Sequence, residues 1–128
     1  MREIREAKTA GFCFGVRRSV EMAGKLLDEY GSCSSYAQLI HNDDVVRSLQ
    51  EKGLSVVTSP AQVKPGNRVI LRAHGVSKDT VDALSSAGAE IFDATCPKVK
   101  VIHKTVQDAS REGRYVVVDR KSVVWERV

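Results

Sequence analysis

The sequence predicts an α/β protein with a mostly parallel sheet that has helices on both faces. Short apolar runs of strand-like composition alternate with longer segments whose apolar residues recur every three to four positions. A glycine follows most of the helical segments, where the left-handed backbone that ends a helix favours this residue. Strands that alternate with helices pair in parallel, because each helix returns the chain to the edge where the next strand begins.

The first predicted elements surround a cysteine loop, in which two flanking glycines permit positive φ and two phenylalanines are expected to shield the thiol from water. Residues 2–8 have the pattern of a strand that leads into this loop. The apolar stripe that begins at Val16 predicts an amphipathic helix, and Gly31 is placed to end it. A short strand is then expected near Tyr36–Ile40.

The middle of the chain repeats this alternation. The run His41-Asn42-Asp43 offers polar N-cap residues for the next helix, because such side chains accept a hydrogen bond from the first helical turn, and we expect this helix to close at Gly53. Leu54–Val57 is the next predicted strand. A polar link and a Pro-Gly turn at 65–66 then lead to a strand at Arg68–Leu71.

The last part of the chain predicts two helices and two strands. Ser77 is expected to cap a helix that Gly88 ends, and Glu90–Phe92 follows as a strand. Pro97 suits the first turn of a further helix, since its missing N–H would have no partner there. A last strand is expected to begin at Arg114–Val118.

Composition indicates an ordinary globular domain. The chain has 128 residues, of which 42% are hydrophobic and 28% charged. No run approaches the roughly 18 apolar residues that cross a membrane, and the N-terminus lacks the apolar region of a secretory signal. We therefore expect a cytoplasmic protein with no membrane partner. The net charge of +4 comes from scattered residues and only 5% of residues are aromatic, so no nucleic-acid partner is expected.

The number and spacing of the cysteines limit the chemistry that a site in this protein can use. The chain contains Cys13, Cys33 and Cys96, and no two of them form a C-x-x-C pair, which disfavours zinc-ribbon and thioredoxin-like proteins. An odd number of cysteines in a cytoplasmic protein also argues against a disulfide framework. Metal ligation or a catalytic thiol remains.

Four residues of metal-binding or anion-binding type share one position in the predicted fold. Cys13, His41, His74 and Cys96 each fall where a predicted strand gives way to a helix. In a parallel sheet these junctions lie along the carboxyl edge, where ligands bind. Cys33 is expected at the opposite edge as a bystander thiol. His103 lies deep in the last helix without a second ligand four residues away, so we expect it to be structural or exposed.

The residues alone leave three functions open. Two cysteines and two histidines match a zinc site, although structural zinc sites usually use closely spaced pairs. Alternatively, the thiolates hold an iron–sulfur cluster and the histidines, beside helix N-termini, hold an anion such as phosphate. A thiol-dependent transferase with Cys13 as nucleophile is the third possibility, and it needs a nearby base.

Four motifs, in this order along the chain, resemble those of the 4-hydroxy-3-methylbut-2-enyl diphosphate reductases. These are iron–sulfur enzymes that catalyse the last step of the non-mevalonate isoprenoid pathway. The motifs are Gly11–Val16, Leu39–Asn42, Ala73–Val76 and Asp93–Pro97.

The resemblance implies a fold of three similar α/β domains, of which residues 1–118 are the first. It implies that Cys13 and Cys96 are two of three cysteine ligands of a [4Fe-4S] cluster, and that His41 and His74 bind the substrate diphosphate. The reaction that it implies removes the hydroxyl group of an allylic diphosphate as water. The products are isopentenyl and dimethylallyl diphosphate, and the electrons come from a donor such as ferredoxin or flavodoxin.

The chain also departs from the family pattern. The third cluster cysteine is absent, and so is the His-Pro-Glu motif whose glutamate relays protons, so no catalytic residue is assigned. Glu126 does not replace that glutamate, since it stands outside any such motif. We expect residues 119–128 to be a non-native tail and the fragment to be inactive alone. The alternative is a stand-alone zinc-binding or anion-binding module without redox activity.

Overall fold

The computed structural model describes residues 2–118, which form a parallel four-stranded sheet with strand order β2-β1-β3-β4. The strands are β1 (Cys33–Tyr36), β2 (Leu54–Val57), β3 (Arg68–Leu71) and β4 (Glu90–Asp93). The helices are α1 (Phe14–Tyr30), α2 (Asp43–Glu51), α3 (Lys78–Ser86) and α4 (Pro97–Arg111), with a 3₁₀ turn at Pro60–Gln62. The expected non-native tail, 119–128, lies outside the described residues.

Side chains that alternate along the strands build two separate cores. On one face, Ile70 of β3 and Leu54 of β2 share a buried cluster with the apolar stripes of α1 and α2. On the other face, Val69 and Leu71 of β3 pack with Leu84 of α3. Each large side chain removed from water in this way contributes about 1.5–3 kcal/mol. The parallel α/β class predicted from the alternation of elements is confirmed.

Helix boundaries follow the expected capping residues. The Asn42 side chain accepts a hydrogen bond from the Val45 N–H (3.1 Å), and the Ser77 hydroxyl accepts one from the Thr80 N–H (3.3 Å). Gly31 ends α1 with φ +74°, in the left-handed region where a β-carbon would be strained. These local signals acted independently of the rest of the fold, which is why they could be read from the sequence.

Two predicted strands are wrong. Residues 2–8 and 114–118 form no strand, and they carry some of the most exposed apolar side chains, including Ile4 at 96% and Val117 at 89%. A strand needs a neighbouring strand to pair its backbone N–H and C=O groups. Neither segment has such a neighbour among residues 2–118, so its apolar pattern produces no sheet.

The first strand also lies earlier than expected. We expected it near Tyr36–Ile40, whereas β1 is Cys33–Tyr36. Ala37 then has φ +56°, which interrupts extended backbone. Leu39 and Ile40 are almost fully buried, but they pack into the core from the loop that follows β1. Their apolar character therefore reports burial and not extended structure.

Helix α4 packs less closely than the other helices. None of its residues is buried, and Val101 and Ile102 are more than half exposed. It is attached near its N-terminus, where the Cys96 N–H donates to the Ala73 carbonyl (2.9 Å) and Lys100 pairs with Asp93 (2.6 Å). The position of α4 thus depends on its first turns.

Replacing Ile70 by alanine should lower the free energy of unfolding by about 2–5 kcal/mol, because it leaves a cavity in a closed core. Replacing Val117 by serine should change it by less than about 0.5 kcal/mol, since that side chain touches little. Urea unfolding followed by circular dichroism measures both. If Val117→Ser destabilised the protein as much as Ile70→Ala, residues 114–118 would have to be a packed strand.

Candidate functional site

The two predicted ligand cysteines each stand directly before a helix. Cys13 is the N-cap residue of α1 and Cys96 is the N-cap residue of α4. Neither side chain makes a capping hydrogen bond, so both sulfur atoms lie at helix N-termini without being used by the helices. The partial positive charge of a helix N-terminus stabilises anions, and a metal-bound thiolate is an anion.

A close contact brings these two helix starts together. A β-carbon at Gly15, in the first turn of α1, would lie 2.5 Å from Cys96 Sγ and 2.7 Å from Cys96 Cβ. No real β-carbon approaches sulfur so closely, so only glycine fits. We interpreted the loop glycines as sites of left-handed backbone, which holds for Gly11 with φ +141°. Gly15 is required instead for space, because Cys96 occupies the place of its side chain.

Hydrogen bonds from side chains of α1 to the loop before Cys96 stabilise this contact. The fully buried Ser19 hydroxyl lies 3.1 Å from the Gly15 carbonyl oxygen and 3.0 Å from that of Ala94. Arg18 Nη1 donates to the Thr95 carbonyl oxygen at 3.3 Å. Both side chains belong to α1 and both acceptors outside α1 lie just before Cys96. The first turns of α1 therefore hold the loop that carries the second thiol.

The loop before Cys96 is also held by Asp93. Its carboxylate accepts a hydrogen bond from the Thr95 N–H (2.9 Å) and pairs with Lys100 (2.6 Å). Burial alone would raise the pKa of the Asp93 carboxyl group. The Lys100 ammonium, together with the Thr95 hydroxyl and N–H, outweighs burial and holds that pKa below its usual value. The carboxylate consequently stays ionised and keeps both ends of the Cys96 loop in place.

The two predicted anion-binding histidines are neighbours. The ring centroids of His41 and His74 lie 4.9 Å apart, with the rings tilted by 51°. His41 follows β1 and His74 follows β3, and these strands are adjacent in the sheet. Both histidines are exposed. Each imidazole carries at least one N–H, so two imidazoles this close together can both donate to one ligand.

Backbone hydrogen bonds connect the histidines to the thiols. The Ala73 N–H donates to the Leu39 carbonyl (3.4 Å), and the Cys96 N–H donates to the Ala73 carbonyl (2.9 Å). These bonds extend the parallel pairing of β1, β3 and β4 beyond the ends of the strands. They place His41, His74 and Cys96 on consecutive loops of one edge, and Gly15 brings the Cys13 loop to the same place.

The other candidate residues lie where expected or nearby. Cys33 is the first residue of β1, at the opposite edge of the sheet, and burial raises the pKa of its thiol. His103 is exposed, as expected, yet its ring also touches the loop of His74: a β-carbon at Gly75 would lie 2.9 Å from His103 Cε1. Sequence spacing did not indicate that contact.

One expectation about the thiol is wrong. The flanking aromatics were expected to shield Cys13 from water, but Cys13 is exposed and Phe12 and Phe14 are 38% and 63% exposed. Phe14 is the first residue of α1 and Phe12 precedes its N-cap, and among residues 2–118 both keep more than a third of their surface exposed. Cys13 also follows no strand, since residues 2–8 form none.

Several residues that shape the site had no clear sequence signal. Gly15 and Ser19 stand four residues apart on α1, the spacing of neighbours on one helix face, and this spacing was a usable clue. Their partners in the Cys96 loop are more than 70 positions away and could not be paired with them from a single sequence. Among residues 2–118, no three His, Cys, Asp or Glu side chains are grouped around one metal-ion position. No helix in this range is long and apolar enough to cross a membrane.

The fold and the site together define the class of protein. This is a parallel α/β protein whose carboxyl edge carries two thiols at helix N-termini beside a histidine pair. The chain belongs to the LytB protein family, which it matches over residues 4–122.

Curated relatives with the same enzyme name match about nine tenths of this chain. The chain is 36% identical over 116 residues to the 4-hydroxy-3-methylbut-2-enyl diphosphate reductase of Oleidesulfovibrio alaskensis, covering 90% of this chain and 41% of that protein. It is 41% identical over 120 residues to the reductase of the same name from Aquifex aeolicus, covering 92% and 41%. The chain therefore spans about two fifths of the length of these curated relatives.

Two solved structures have the same fold. One is the E-1-hydroxy-2-methyl-but-2-enyl-4-diphosphate reductase from Plasmodium falciparum, with a TM-score of 0.78 and 29% identity over 82% of this chain and 33% of that one. The other is described as (E)-4-hydroxy-3-methyl-but-2-enyl diphosphate reductase, the terminal enzyme of the non-mevalonate pathway. Its TM-score is 0.76, with 39% identity over 91% of this chain and 42% of that one.

Replacing Gly15 by alanine should displace Cys96 and lower the free energy of unfolding by about 1–3 kcal/mol through overpacking. Gly24→Ala is the matched control, because it lies on the same helix with no atom within 4 Å of its β-carbon position. It should be neutral or stabilise by up to about 1 kcal/mol through helix propensity. Chemical unfolding of both variants tests this, and equal effects would contradict the contact between Gly15 and Cys96.

Proposed function

We propose that this chain carries the diphosphate-binding residues and part of the cluster-binding residues of a 4-hydroxy-3-methylbut-2-enyl diphosphate reductase. The observation that carries the proposal is the convergence of His41, His74, Cys13 and Cys96 on one edge of the sheet. Membership of the LytB family and relatives that bear this name support it.

The proposed reaction is a reductive dehydroxylation. The C–O bond of the substrate hydroxyl breaks and a C–H bond forms, so two electrons and two protons enter and one water molecule leaves. The products are isopentenyl and dimethylallyl diphosphate. The electrons would come from a small redox protein such as ferredoxin or flavodoxin. The reaction needs a site that holds the anionic end of the substrate while the hydroxyl end reacts.

The histidine pair suits the anionic end. His41 and His74 offer N–H donors from adjacent loops, and the distance of 4.9 Å between their rings is short enough for both to contact one diphosphate. Helices α2 and α3 start just after these histidines, so their N-terminal dipoles add to the attraction for negative charge. These residues would bind and orient the substrate without changing covalently.

The thiols suit the cofactor. Cys13 and Cys96 would hold two corners of a [4Fe-4S] cluster, since sulfur is the ligand that such clusters use and both helix N-termini offset its negative charge. When bound, the cluster supplies electrons and a Lewis acid. A cubane needs more protein ligands than two, and the relatives are more than twice as long as this chain. We therefore assign the third thiolate to a part of the protein that this chain does not include.

A chimera tests the proposed activity. Residues 1–118 of this chain replace the matching part of the Aquifex aeolicus reductase, and turnover of the allylic diphosphate is measured without oxygen using an artificial electron donor. We expect turnover in the chimera and its loss in Cys96→Ser. His74→Asn should raise KM for the diphosphate about tenfold, equivalent to ~1.4 kcal/mol of lost binding.

Lys52→Gln is the control for general charge effects, because it removes one positive charge at the C-terminal end of α2, away from the carboxyl edge of the sheet. It should leave KM unchanged. A folded chimera that binds iron and sulfide yet fails to reduce the substrate would contradict the proposed function. Stoichiometric zinc, bound by residues 1–118 and lost in Cys13→Ser, would support the zinc-binding module instead.

A further inference from the structure

The loop that carries His74 is held by its own hydrogen bonds and by contacts with a neighbouring segment. Within the loop, Arg72 Nε donates to the Gly75 carbonyl (3.0 Å), and the Gly75 N–H donates to the Arg72 carbonyl (2.9 Å). Thr95 and His103 contact the loop from outside. A β-carbon at Gly75 would lie 3.1 Å from Thr95 Cγ2 and 2.9 Å from His103 Cε1.

Gly75 itself explains why this contact is specific. Its φ is +77°, which disfavours any residue with a β-carbon, and the space that a β-carbon would need is filled by the two neighbours. The His103 ring therefore packs directly against glycine backbone, next to the residue whose imidazole meets His41. A small shift of Gly75 would move His74, because the two residues share a peptide bond.

The position of His103 on α4 is equally informative. It stands six residues after Pro97, the first residue of α4, which places it in the second turn, about 9 Å along the helix axis. Helix α4 has no buried residue, so its ties to the sheet are few, and the His103 contact is one of them. The N-cap residue of α4, Cys96, thus contacts Gly15, and the second turn contacts Gly75 through His103.

We propose that His103 is a positioning residue for His74. Its ring holds the Gly75 backbone so that His74 stays against His41, and this function depends on the shape of the ring and not on its proton. This inference deepens the proposed function and rests on it only for the nature of the anion that the histidine pair binds. His103 also ties that pair to the helix that carries Cys96.

The test uses the 128-residue chain, whose three histidines give three imidazole Cε1–H signals in ¹³C-resolved NMR spectra. The contact between the His41 and His74 rings is followed by nuclear Overhauser effects without ligand. Binding of inorganic diphosphate is measured by calorimetry. His103→Ala should weaken the ring contact and raise Kd about tenfold, whereas His103→Phe should restore both to within about twofold of the original chain.

Gln107→Ala is the matched control, because Gln107 lies one turn beyond His103 on α4, whereas the atoms nearest to a β-carbon at Gly75 belong to His103 and Thr95. It should change neither readout. Circular dichroism verifies that each variant is folded, and His103→Asn replaces the alanine variant if that one unfolds. A role in general stability alone would alter the unfolding free energy without separating the alanine variant from the phenylalanine variant in Kd.

The outcomes for the His103 variants either support or overturn the positioning role. Equal ring contact and Kd in His103→Ala and the original chain would overturn the positioning role. Equal loss in His103→Ala and His103→Phe would also overturn it, since the ring would then act through its nitrogen atoms. If the original chain binds no diphosphate, the proposed function fails, but a ring contact that alanine weakens and phenylalanine keeps would still support positioning by His103.

Discussion

The site depends on the contact between Gly15 and Cys96. Because Gly15 has no side chain, Cys96 can occupy the space beside it, and the N-termini of α1 and α4 can lie in contact. Ser19 and Arg18 then bond the loop before Cys96, and the backbone of Cys96 bonds the loop before His74. The absence of a side chain at Gly15 therefore lets the Cys13 loop meet Cys96, whose own loop is hydrogen-bonded to the residue before His74.

We propose that the arrangement separates two chemical tasks. Imidazoles on the β1 and β3 loops suit a hard, multiply charged anion, while sulfur atoms at two helix starts suit soft metal chemistry. The separation follows from the topology, because adjacent parallel strands bring their carboxyl-end loops side by side. Helix α4 links both tasks, since its N-cap residue is Cys96 and its second turn contacts Gly75 through His103.

The core of the fold was predictable because its signals are local. β2 and β3 have the predicted bounds, and the caps at Asn42 and Ser77 formed as expected from their own side chains. The segments 2–8 and 114–118 were mispredicted as strands because an apolar run does not show whether a pairing strand exists beside it.

The candidate site was predictable in part. Strand order brings His41 and His74 together, and parallel topology predicted that they share an edge. The requirement for glycine at Gly15, by contrast, arises from a sulfur atom 81 positions along the chain, and the His103 contact arises from how α4 crosses the His74 loop. Such contacts depend on tertiary packing, which the periodicity of one sequence does not encode.

The most direct test of the central claim is a double-mutant cycle for inorganic diphosphate binding to this chain. Calorimetry gives Kd for the original chain, His41→Asn, His74→Asn and the double variant. If both imidazoles contact one anion, the original chain binds one equivalent and the two substitutions are non-additive by about 0.5–3 kcal/mol. Equal binding by all four proteins, or strictly additive losses, would contradict a shared diphosphate site formed by His41 and His74.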